Sequence, residues 1–443
     1  MHNALSASQA VTKIKEGSLS SVDLVRACLA KIDETDAQLK AWAHIDADAA
    51  IAQAEVLDDI RRRGYATGPL HGVPIGLKDI VDTKDFPTEN GSVIFKDRQP
   101  DTDAALVDRL KEAGAIILGK TVTTEMAFMH PSKTHNPHNL AHTPGGSSSG
   151  SAAAVAGFHV PLAIGTQTNG SVIRPASYCG TYGFKPTRGT ISRRGVLQTS
   201  KSLDQIGMFA RSMEDVALLS DVLGFFDPTD DLSFARPRSS ALGGYREEVP
   251  VEPDFVWLDM PYDDRIADDT REGFNELRDA LGGRVERIPA PKSFANLVES
   301  QRIIHQYEYV HHLSDVIDTR FDDISDTVQT IIKSGQSISD DHYAEAIGYM
   351  EASSDFFDNF FHDYDAVLAP SAPGEAPLMQ DGTGDPIFST IWTLAGLPCL
   401  TLPLMVGAQN LPIGVQLIGA REHDDRLMRS ARWMEETLSA DDA

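Results

Sequence analysis

The sequence predicts an α/β protein with a buried sheet. Short apolar runs recur along the chain, and segments with apolar residues at helical spacing lie between them. Hydrophobic residues make up 41% of the chain and charged residues 23%, which is typical of a folded globular protein. Strands that alternate with helices over most of the chain indicate a sheet covered by helices.

The first elements follow from local periodicity. Leu24, Val25 and Cys28 recur at helical spacing after serines that can cap a helix. Glycine ends a second amphipathic segment, and an apolar run follows it. These patterns predict helices over Ser20–Ile32, Thr102–Glu112 and Ser151–Ala156, and strands over Ala115–Leu118 and Val160–Ile164.

The second half repeats the alternation after a stretch rich in proline, glycine and serine, Asp227–Pro253, which is a candidate linker or surface excursion. Apolar runs of four to six residues predict strands, and longer amphipathic segments predict helices. The predicted strands are Phe255–Leu258, Val285–Ile288, Ala366–Ala369, Cys399–Leu404 and Val415–Ile418, and the predicted helices are Asp268–Leu281 and Asp424–Leu438.

Charge and cysteine content exclude several classes of function. The net charge of -26 argues against partners that are themselves anionic, such as nucleic acid or an acidic membrane surface. No apolar run approaches the ~20 residues of a membrane helix, and no signal-peptide core begins the chain. The three cysteines lie far apart and form no CxxC pair. We therefore expect a cytoplasmic protein.

A Gly/Ser-rich run, Thr143–Ser151, is the most unusual segment. By itself it fits a flexible loop that caps a helix. A phosphate-binding loop would need a lysine after the last glycine, and none is present. The formal GxSxG match centred on Ser148 lacks the strand that must precede a nucleophile elbow.

Two further segments of the chain allow this Gly/Ser-rich run to be interpreted. Gly72–Asp79 contains a single lysine, Lys78, among apolar residues, and Gly165–Ala176 places Ser171 in a loop after a buried strand. Ser171 follows Ser147 by 24 positions. In order and spacing the three segments closely resemble the amidase signature family. The resemblance extends from the N-terminal helices to 411–419 and is weakest between about 227 and 301.

The resemblance implies a fold and a catalytic triad. We expect one large α/β/α domain on a mixed twisted sheet, spanning 1–443, with an N-terminal helical segment over 1–65 and a variable insert or second lobe over 227–300. By resemblance, Ser171 is the nucleophile, Ser147 the bridging serine after a cis peptide bond from Gly146, and Lys78 the base. Backbone N–H groups of the oxyanion hole come from Thr168, Asn169, Gly170 and Ser171, and Ser148 supports the triad.

The predicted base sets a physical demand on its surroundings. Lysine accepts a proton only when neutral, so its pKa must fall by roughly 3.4 units from about 10.4. Apolar neighbours such as Ile75 and Leu77 are consistent with the burial that causes such a shift. A buried lysine held in a salt bridge is the competing interpretation of Lys78.

The chain departs from the family pattern around the nucleophile. Gln167 replaces an aspartate, Ile173 replaces an arginine, which here follows as Arg174, and Asn169 replaces a glycine. We hypothesise that an amide and an apolar contact replace a charged pair beneath the loop. Gln167→Asp would then destabilise the protein, because the new carboxylate would lack a partner.

The candidate pocket residues are inferred from their position in the chain, by analogy with the family. Phe128, Met129, His130, Ile391 and Trp392 are candidate pocket residues by analogy. The histidines of 130–142 could suggest a metal site, but prolines interrupt the segment, so neither a metal nor a cofactor is predicted. A small amide is the expected ligand, and a homodimer is compatible with the family.

The predicted function is that of an amidohydrolase. It would cleave a non-peptide carboxylic amide to an acid and an amine or ammonia through an acyl-enzyme on Ser171. Two alternatives keep the same triad. One is a carbamate (urethane) or allophanate-type hydrolase, and the other is the glutamine-hydrolysing subunit of a tRNA-dependent amidotransferase.

Overall fold

The computed structural model describes residues 2–440, and within them eleven strands form one sheet. The strands are β1 (Trp42–Ile45), β2 (Pro74–Lys78), β3 (Ile116–Thr121), β4 (Leu162–Gln167), β5 (Tyr182–Lys185), β6 (Gln205–Ala210), β7 (Phe255–Asp259), β8 (Val285–Pro289), β9 (Ala366–Pro370), β10 (Cys399–Val406) and β11 (Pro412–Ile418).

Fifteen α-helices accompany the sheet over the same described residues. They are α1 (Ala7–Glu16), α2 (Ser21–Leu39), α3 (Ala47–Arg62), α4 (Ala105–Glu112), α5 (Ser149–Ala156), α6 (Ile173–Cys179), α7 (Met213–Leu223), α8 (Ala241–Arg246), α9 (Asp268–Leu281), α10 (Phe294–His312), α11 (Ser314–Arg320), α12 (Asp326–Gln336), α13 (Asp340–Phe360), α14 (Ile387–Ala395) and α15 (Asp424–Ala440).

Serine side chains cap the first two helices, and the cap of α2 is the one that the sequence predicts. Ser20 accepts a hydrogen bond from the backbone N–H of Asp23 at the start of α2. Ser6 and Gln9 form a capping box at α1, because each side chain satisfies the other residue's backbone N–H. These local contacts determine where the helices start before any tertiary packing is considered.

The sheet is mixed. Its strand order is β1-β3-β2-β4-β6-β5-β10-β11-β9-β7-β8. Strand β2 is parallel to both β3 and β4, and β7 is parallel to both β8 and β9, whereas the remaining pairs are antiparallel. Because β2 and β4 are parallel neighbours, their carboxyl ends lie at the same edge of the sheet.

Around β4, two hydrophobic clusters cover opposite faces of the sheet. Leu162 and Ile164 of this strand belong to one cluster and Ala163 belongs to the other. Successive side chains of a strand point to opposite faces, so the two clusters lie on opposite sides of β4. Helices α1, α4 and α7 contribute to the first cluster, and α2, α3 and α5 contribute to the second. The chain is a single α/β/α domain, as predicted.

Most predicted elements agree with the observed ones to within about three residues, but the helix predicted over Ser20–Ile32 continues to Leu39, and several strands and helices escaped prediction. The missed strands include β2, which carries Lys78, and the pair β5 and β6. Residues 227–300 contain β7 and β8, which extend the same sheet at its edge. Over the described residues, no helix is both long and apolar enough to cross a membrane.

Candidate active site

Lys78 is the last residue of β2, and its side chain is fully buried. Its nitrogen Nζ donates to the hydroxyl oxygens of Ser147 and Thr166, each at 2.7 Å. Thr166 lies in β4, which pairs with β2 so that Leu77 is opposite Ile164. The pairing of the two strands therefore fixes the lysine beside two hydroxyl groups.

The surroundings of Lys78 favour its neutral form. Burial lowers the pKa of Lys78 to about 7, although Asp204 acts in the opposite direction. Among residues 2–440, Lys78 has no carboxylate within the 4.0 Å of a salt bridge, so the salt-bridge interpretation is not supported. A lysine with this pKa carries a free lone pair in much of the population at neutral pH and can accept a proton.

The peptide bond between Gly146 and Ser147 is cis, as the resemblance implies. The carbonyl oxygen of Ser147 accepts hydrogen bonds from the Thr123 hydroxyl at 3.1 Å and the Thr124 backbone N–H at 3.2 Å. The carbonyl oxygen of Gly146 accepts from Nη2 of Arg174 at 2.6 Å. Both carbonyls flanking the buried Ser147 hydroxyl are thus held in place.

Ser148 joins this loop to β4. Its hydroxyl donates to the carbonyl of Thr166 and accepts from the N–H of the same residue, both at 3.3 Å. The loop approaches the strand so closely that a Cβ on Gly165 would lie 2.6 Å from the Ser148 hydroxyl oxygen. Only glycine fits at that strand position. Ser148 therefore contacts the residue that also binds Lys78.

Ser171 is half-buried and lies between β4 and α6. Within residues 2–440, its hydroxyl has no hydrogen-bond partner, and the Ser147 hydroxyl is held only by the lysine. The backbone N–H groups of Thr168, Asn169, Gly170 and Ser171 donate to no other group of the described chain. The loop therefore presents four unused donors next to a serine hydroxyl.

Gln167, the last residue of β4, holds the turn after Ser171. Its Oε1 accepts from the backbone N–H groups of Val172 at 2.8 Å and Ile173 at 3.0 Å, and its Nε2 donates to the Thr393 hydroxyl at 2.9 Å. Ile173 is fully buried. An amide with an apolar neighbour does occupy this place, but the expectation that a carboxylate would lack a partner is wrong, because two N–H donors face it.

Asn169 connects the loop to two helices. Its Nδ2 donates to Oε1 of Gln301 in α10 at 3.2 Å, and its Oδ1 accepts from the Thr390 hydroxyl in α14 at 2.8 Å. Nε2 of Gln301 donates in turn to the carbonyl of Thr168 at 3.0 Å. Asn169 is therefore part of a network that fixes the loop, whereas a glycine here could not contribute.

The side chain of an aspartate holds the opposite side of the 168–171 loop. The Thr168 hydroxyl donates to Oδ1 of Asp204 at 2.6 Å. The other oxygen of Asp204 accepts from the backbone N–H groups of Thr199 at 2.7 Å and Ser200 at 2.8 Å. The loop is thereby fixed from both directions, which preorganises its N–H groups.

A cavity of about 170 Å³ adjoins Ser171. Residues of α10 and α12 form its outer wall. All of them lie beyond residue 300, so the predicted insert over 227–300 does not contribute to the cavity. The residues around it are Ala127, Phe128, Met129, Thr168, Asn169, Gly170, Ser171, Arg174, Gln301, Arg302, His305, Gln306, Ile331 and Pro386. A space of this size suits a small ligand.

Two of the five candidate pocket residues lie in this wall. Phe128 and Met129 line the cavity, whereas the other three positions need correction. His130 lines a different cavity, next to Asp79 and Lys133. Ile391 and Trp392 are fully buried because α14 directs them into the hydrophobic core.

The other histidines of that segment hold loops together. In residues 2–440, no group of three or more His, Cys, Asp or Glu side chains is arranged to hold a metal ion. Each ring instead hydrogen bonds to a backbone carbonyl: His135 to Leu140 at 2.7 Å, His138 to Cys179 at 2.9 Å, and His142 to Ala376 at 2.6 Å.

Known proteins resemble this chain along nearly its whole length. A family model described as Amidase matches residues 23–428. The chain belongs to the amidase signature family. It is 33% identical to a glutamyl-tRNA(Gln) amidotransferase subunit from Streptomyces coelicolor, over 96% of this chain and 94% of that protein. The corresponding protein of Anaeromyxobacter dehalogenans is 34% identical, over 95% and 93%. This amidase is therefore a hydrolase of carbon–nitrogen bonds.

Two solved structures share the whole fold. A chain from a vestigial protein complex linked to the origins of an s-triazine catabolic enzyme superposes with a TM-score of 0.92 at 28% identity, covering 98% of each chain. Peptide amidase from Stenotrophomonas maltophilia gives a TM-score of 0.84 at 26% identity, covering 98% of this chain and 96% of that one.

Sequence reasoning misses several residues of the site. Thr166, the second partner of Lys78, precedes Ser171 in the same motif but shows no local sign of facing a lysine. Gln301 and His305 come from α10, for which the sequence offers no prediction. Arg174 stands out in the sequence only as a displaced family arginine, although it is buried and lines the cavity beside Ser171.

Proposed function

We propose that the protein is an amidohydrolase that cleaves a carboxylic amide to an acid and an amine or ammonia, through an acyl-enzyme on Ser171. The observation that carries the proposal is the 2.7 Å hydrogen bond between Nζ of Lys78 and the hydroxyl of Ser147. A lysine with a pKa near 7 is a base at neutral pH, and a hydroxyl bound to it can relay a proton.

In the proposed first step, neutral Lys78 takes the proton of Ser147 while Ser147 takes the proton of Ser171. The Ser171 oxygen then forms a bond to the carbonyl carbon of the amide. Substrate binding must first turn the Ser171 hydroxyl toward Ser147, since the two are not hydrogen bonded in the free protein. Catalytic hydrogen bonds of this kind often form only in the complex.

The tetrahedral intermediate carries its negative charge on the former carbonyl oxygen. We assign its stabilisation to the backbone N–H groups of 168–171, whose hydrogen-bonding capacity is unused. Each such donor is typically worth about 3–4 kcal/mol of barrier. Lys78 then returns its proton through Ser147 to the amide nitrogen, the carbon–nitrogen bond breaks, and the amine leaves with the acyl group on Ser171.

Hydrolysis of the acyl-enzyme repeats the same steps with water. The relay removes a proton from the attacking water, and the same proton returns to the Ser171 oxygen as the acid leaves. Every proton comes from substrate, water or the three side chains, so the proposed cycle is complete without a cofactor.

The proposal is tested by product release from a panel of amides, anilides, esters, ureas and carbamates. Ser171→Ala is expected to lower kcat by roughly 10³-fold or more. Ser132→Ala, at a residue that lines the neighbouring cavity, is the matched control and should retain activity. Faster cleavage of carbamates or ureas than of amides would change the assigned substrate class but not the assigned triad. Equal turnover by the Ser171→Ala protein would refute the assignment of the nucleophile.

The relatives support a second candidate function. Proteins named as subunits of glutamyl-tRNA(Gln) amidotransferase match at 33% identity along nearly the whole chain. The second proposal is therefore a glutamine-hydrolysing subunit that works with a partner protein. Glutaminase activity that appears only when a copurified partner protein is added would favour it. Amide hydrolysis by the isolated chain, without glutaminase activity, would count against it.

We also propose that residues 1–443 act as one domain in a reducing cytoplasm. The strands of 227–300 join the sheet that carries Lys78, which supports a single unit. Cys28, Cys179 and Cys399 are buried free thiols, and such thiols suit a reducing compartment.

A further inference from the structure

One imidazole ring in the cavity wall has a buried nitrogen without a partner. His305 belongs to α10 and lines the cavity beside Ser171. Its Nε2 is buried and, within residues 2–440, forms no hydrogen bond. A buried polar atom without a partner costs free energy in the unliganded protein, and a ligand that supplies the partner recovers this cost. The ring is therefore a candidate contact for the substrate.

The neighbouring polar side chains of α10 already have hydrogen-bond partners. Both ends of the Gln301 amide are used by the loop over 168–171. Arg302 donates to Oε1 of Gln306 at 2.7 Å. Because these three side chains are engaged with the protein itself, His305 is the polar group of this helix that is best placed to receive a ligand.

The ring is held at a fixed distance from the proposed oxyanion loop. His305 follows Gln301 by four residues, so both side chains lie on the same face of α10, about 6 Å apart along the helix axis. The ring packs against Phe128 with 4.6 Å between ring centroids, and Tyr309 packs against the same phenyl ring at 4.7 Å. A ligand group that reaches His305 is therefore separated by a short chain from a carbonyl bound at the loop.

The ring is uncharged at neutral pH. Burial lowers the pKa of His305 to about 4, although Asp204 and Glu308 act in the opposite direction. A neutral imidazole has one nitrogen that donates a hydrogen bond and one that accepts, and either nitrogen can carry the proton. A hydroxyl group can also donate or accept, so it satisfies the ring in either tautomer. An uncharged hydroxyl is therefore the partner that fits this ring best.

The rest of the cavity limits the chain that can carry such a hydroxyl. Phe128, Met129, Ile331 and Pro386 give the cavity apolar walls, and its volume is about 170 Å³. In apolar pockets of this kind, a small number of polar groups determines orientation and specificity. A short aliphatic chain with one hydroxyl matches both the apolar walls and the single free ring.

We propose that His305 determines specificity by forming a hydrogen bond with a hydroxyl group on the acyl chain of the substrate. The enzyme then favours small hydroxy amides over alkyl amides of the same size. This inference rests on the proposed function for the cleavage step, whereas the contact between the ring and the hydroxyl can be observed in binding alone.

The test uses pairs of amides in which a hydroxyl replaces a methyl group: glycolamide with propionamide, β-hydroxypropionamide with butyramide, and γ-hydroxybutyramide with valeramide. Both members of a pair are uncharged and nearly equal in size, so the comparison isolates the hydroxyl. In at least one pair, His305→Leu should lower the ratio of kcat/KM for the hydroxy amide to that for the alkyl amide by roughly 10-fold. Unchanged ratios in all pairs would overturn the proposal.

Two further variants separate hydrogen bonding from packing. His305→Gln retains a side chain that can donate and accept, so it should keep part of the hydroxyl preference. Equal ratios in His305→Gln and His305→Leu would assign the ring a packing role and overturn the proposal. His311→Leu makes the same substitution at an exposed position of α10 and should keep the wild-type ratio. An equal fall in His311→Leu would also contradict the assignment.

Binding separates this inference from the proposed hydrolysis. The Ser171→Ala protein, prepared with isotope-labelled histidine, is titrated with each pair of amides while NMR records the ring nitrogen signals. The signal that disappears in His305→Leu belongs to His305. A larger shift of this signal with the hydroxy amide supports the contact even if neither amide is cleaved. Equal shifts in every pair, or none, would overturn it without affecting the proposed function. If His305→Leu fails to fold, His305→Gln takes its place in both experiments.

Discussion

Gln301 and Asn169 are joined side chain to side chain at 3.2 Å, and the other end of the Gln301 amide donates to the Thr168 carbonyl at 3.0 Å. One residue of α10 thus holds two consecutive residues of the proposed oxyanion loop. Neither contact belongs to the triad, yet both determine where the loop N–H groups point.

We predict that Gln301→Leu lowers kcat by roughly 10- to 100-fold with a smaller change in KM, because small displacements of catalytic groups have effects of that size. Asn296→Leu also replaces an amide side chain with leucine, at an exposed position of α10, and should leave kcat intact. Steady-state kinetics on one good amide substrate measure both. An unchanged kcat in Gln301→Leu would mean that the loop holds its shape without α10.

Lys78 should reduce the stability of the folded protein at neutral and acidic pH. Its folded pKa of about 7 lies below the unfolded lysine value, so the folded state loses its proton first as pH rises. The destabilisation is complete below about pH 7 and disappears as pH approaches about 10.5. Lys78→Met should therefore stabilise the protein at pH 6 by a few kcal/mol, and the gain should shrink toward pH 10.

Lys120 provides the contrast for that measurement. It is also fully buried, but its Nζ donates to the Val81 carbonyl at 2.6 Å and the Thr88 hydroxyl at 2.7 Å and lies 3.6 Å from Asp79. Burial lowers the pKa of Lys120 as well, to about 8, but Lys120→Met also leaves the buried Asp79 carboxylate without its cation and should therefore destabilise the protein. Urea unfolding across the pH range compares the two variants. A stability gain in both, or in neither, would contradict the prediction.

The rate of amide hydrolysis should follow the titration of Lys78. If neutral Lys78 is the base, kcat/KM rises about tenfold per pH unit below its pKa of about 7 and levels off above it. A substrate without ionisable groups keeps the profile simple. Lys78→Met should leave a low rate without this rise. A wild-type profile that is flat from pH 5 to pH 9 would remove Lys78 from the role of base.

Gln167 should contribute more to the free energy of unfolding than a surface glutamine does. Gln167→Leu leaves the N–H groups of Val172 and Ile173 without an acceptor, and unsatisfied buried donors cost about 1–3 kcal/mol each. We expect a loss of about 2–4 kcal/mol in the free energy of unfolding. Gln409→Leu, at an exposed turn, is the control and should change stability little. Equal denaturant midpoints for the two variants would show that the amide is dispensable.

Gln167→Asp should also be destabilising, but the reason is reach and not the absence of a partner. The shorter side chain withdraws from the two N–H donors and cannot donate to Thr393 as the amide does. Gln167→Glu keeps the reach and loses only that donor, so it should cost less than Gln167→Asp. The same denaturation experiment ranks the variants, and a reversed order would contradict this account.

The sequence predicts the alternation of elements well because periodicity and caps are local properties. Strand β4 and helix α9, for example, are predicted to within a few residues. Strand β2 escapes prediction because its run Pro74–Lys78 includes a proline, a glycine and the lysine, which weaken the apolar pattern. Its residues form a strand because β3 and β4 pair with it on both sides, and that is information from distant parts of the chain.

The site residues, too, are predicted where local motifs identify them and missed where distant parts of the chain place them. Motif spacing alone assigns Lys78, Ser147 and Ser171, and the chain brings the first two within 2.7 Å. Ile391 and Trp392 are wrongly predicted as pocket residues because position in the chain does not reveal which side of α14 faces the core. The contribution of Gln301 depends on a helix 132 positions away from Asn169, a separation at which local sequence carries no signal.

The outer wall of the cavity and the proposed triad come from different stretches of the chain. Lys78, Ser147 and Ser171 depend on β2, β4 and the loops beside them, whereas the wall facing them depends on α10 and α12. Apart from Gln301, which holds the oxyanion loop, mutations in 302–331 can thus alter which amides enter while the proposed proton relay keeps its geometry. For evolution and for protein engineering alike, the chain behaves as a fixed reaction module with an exchangeable selectivity segment.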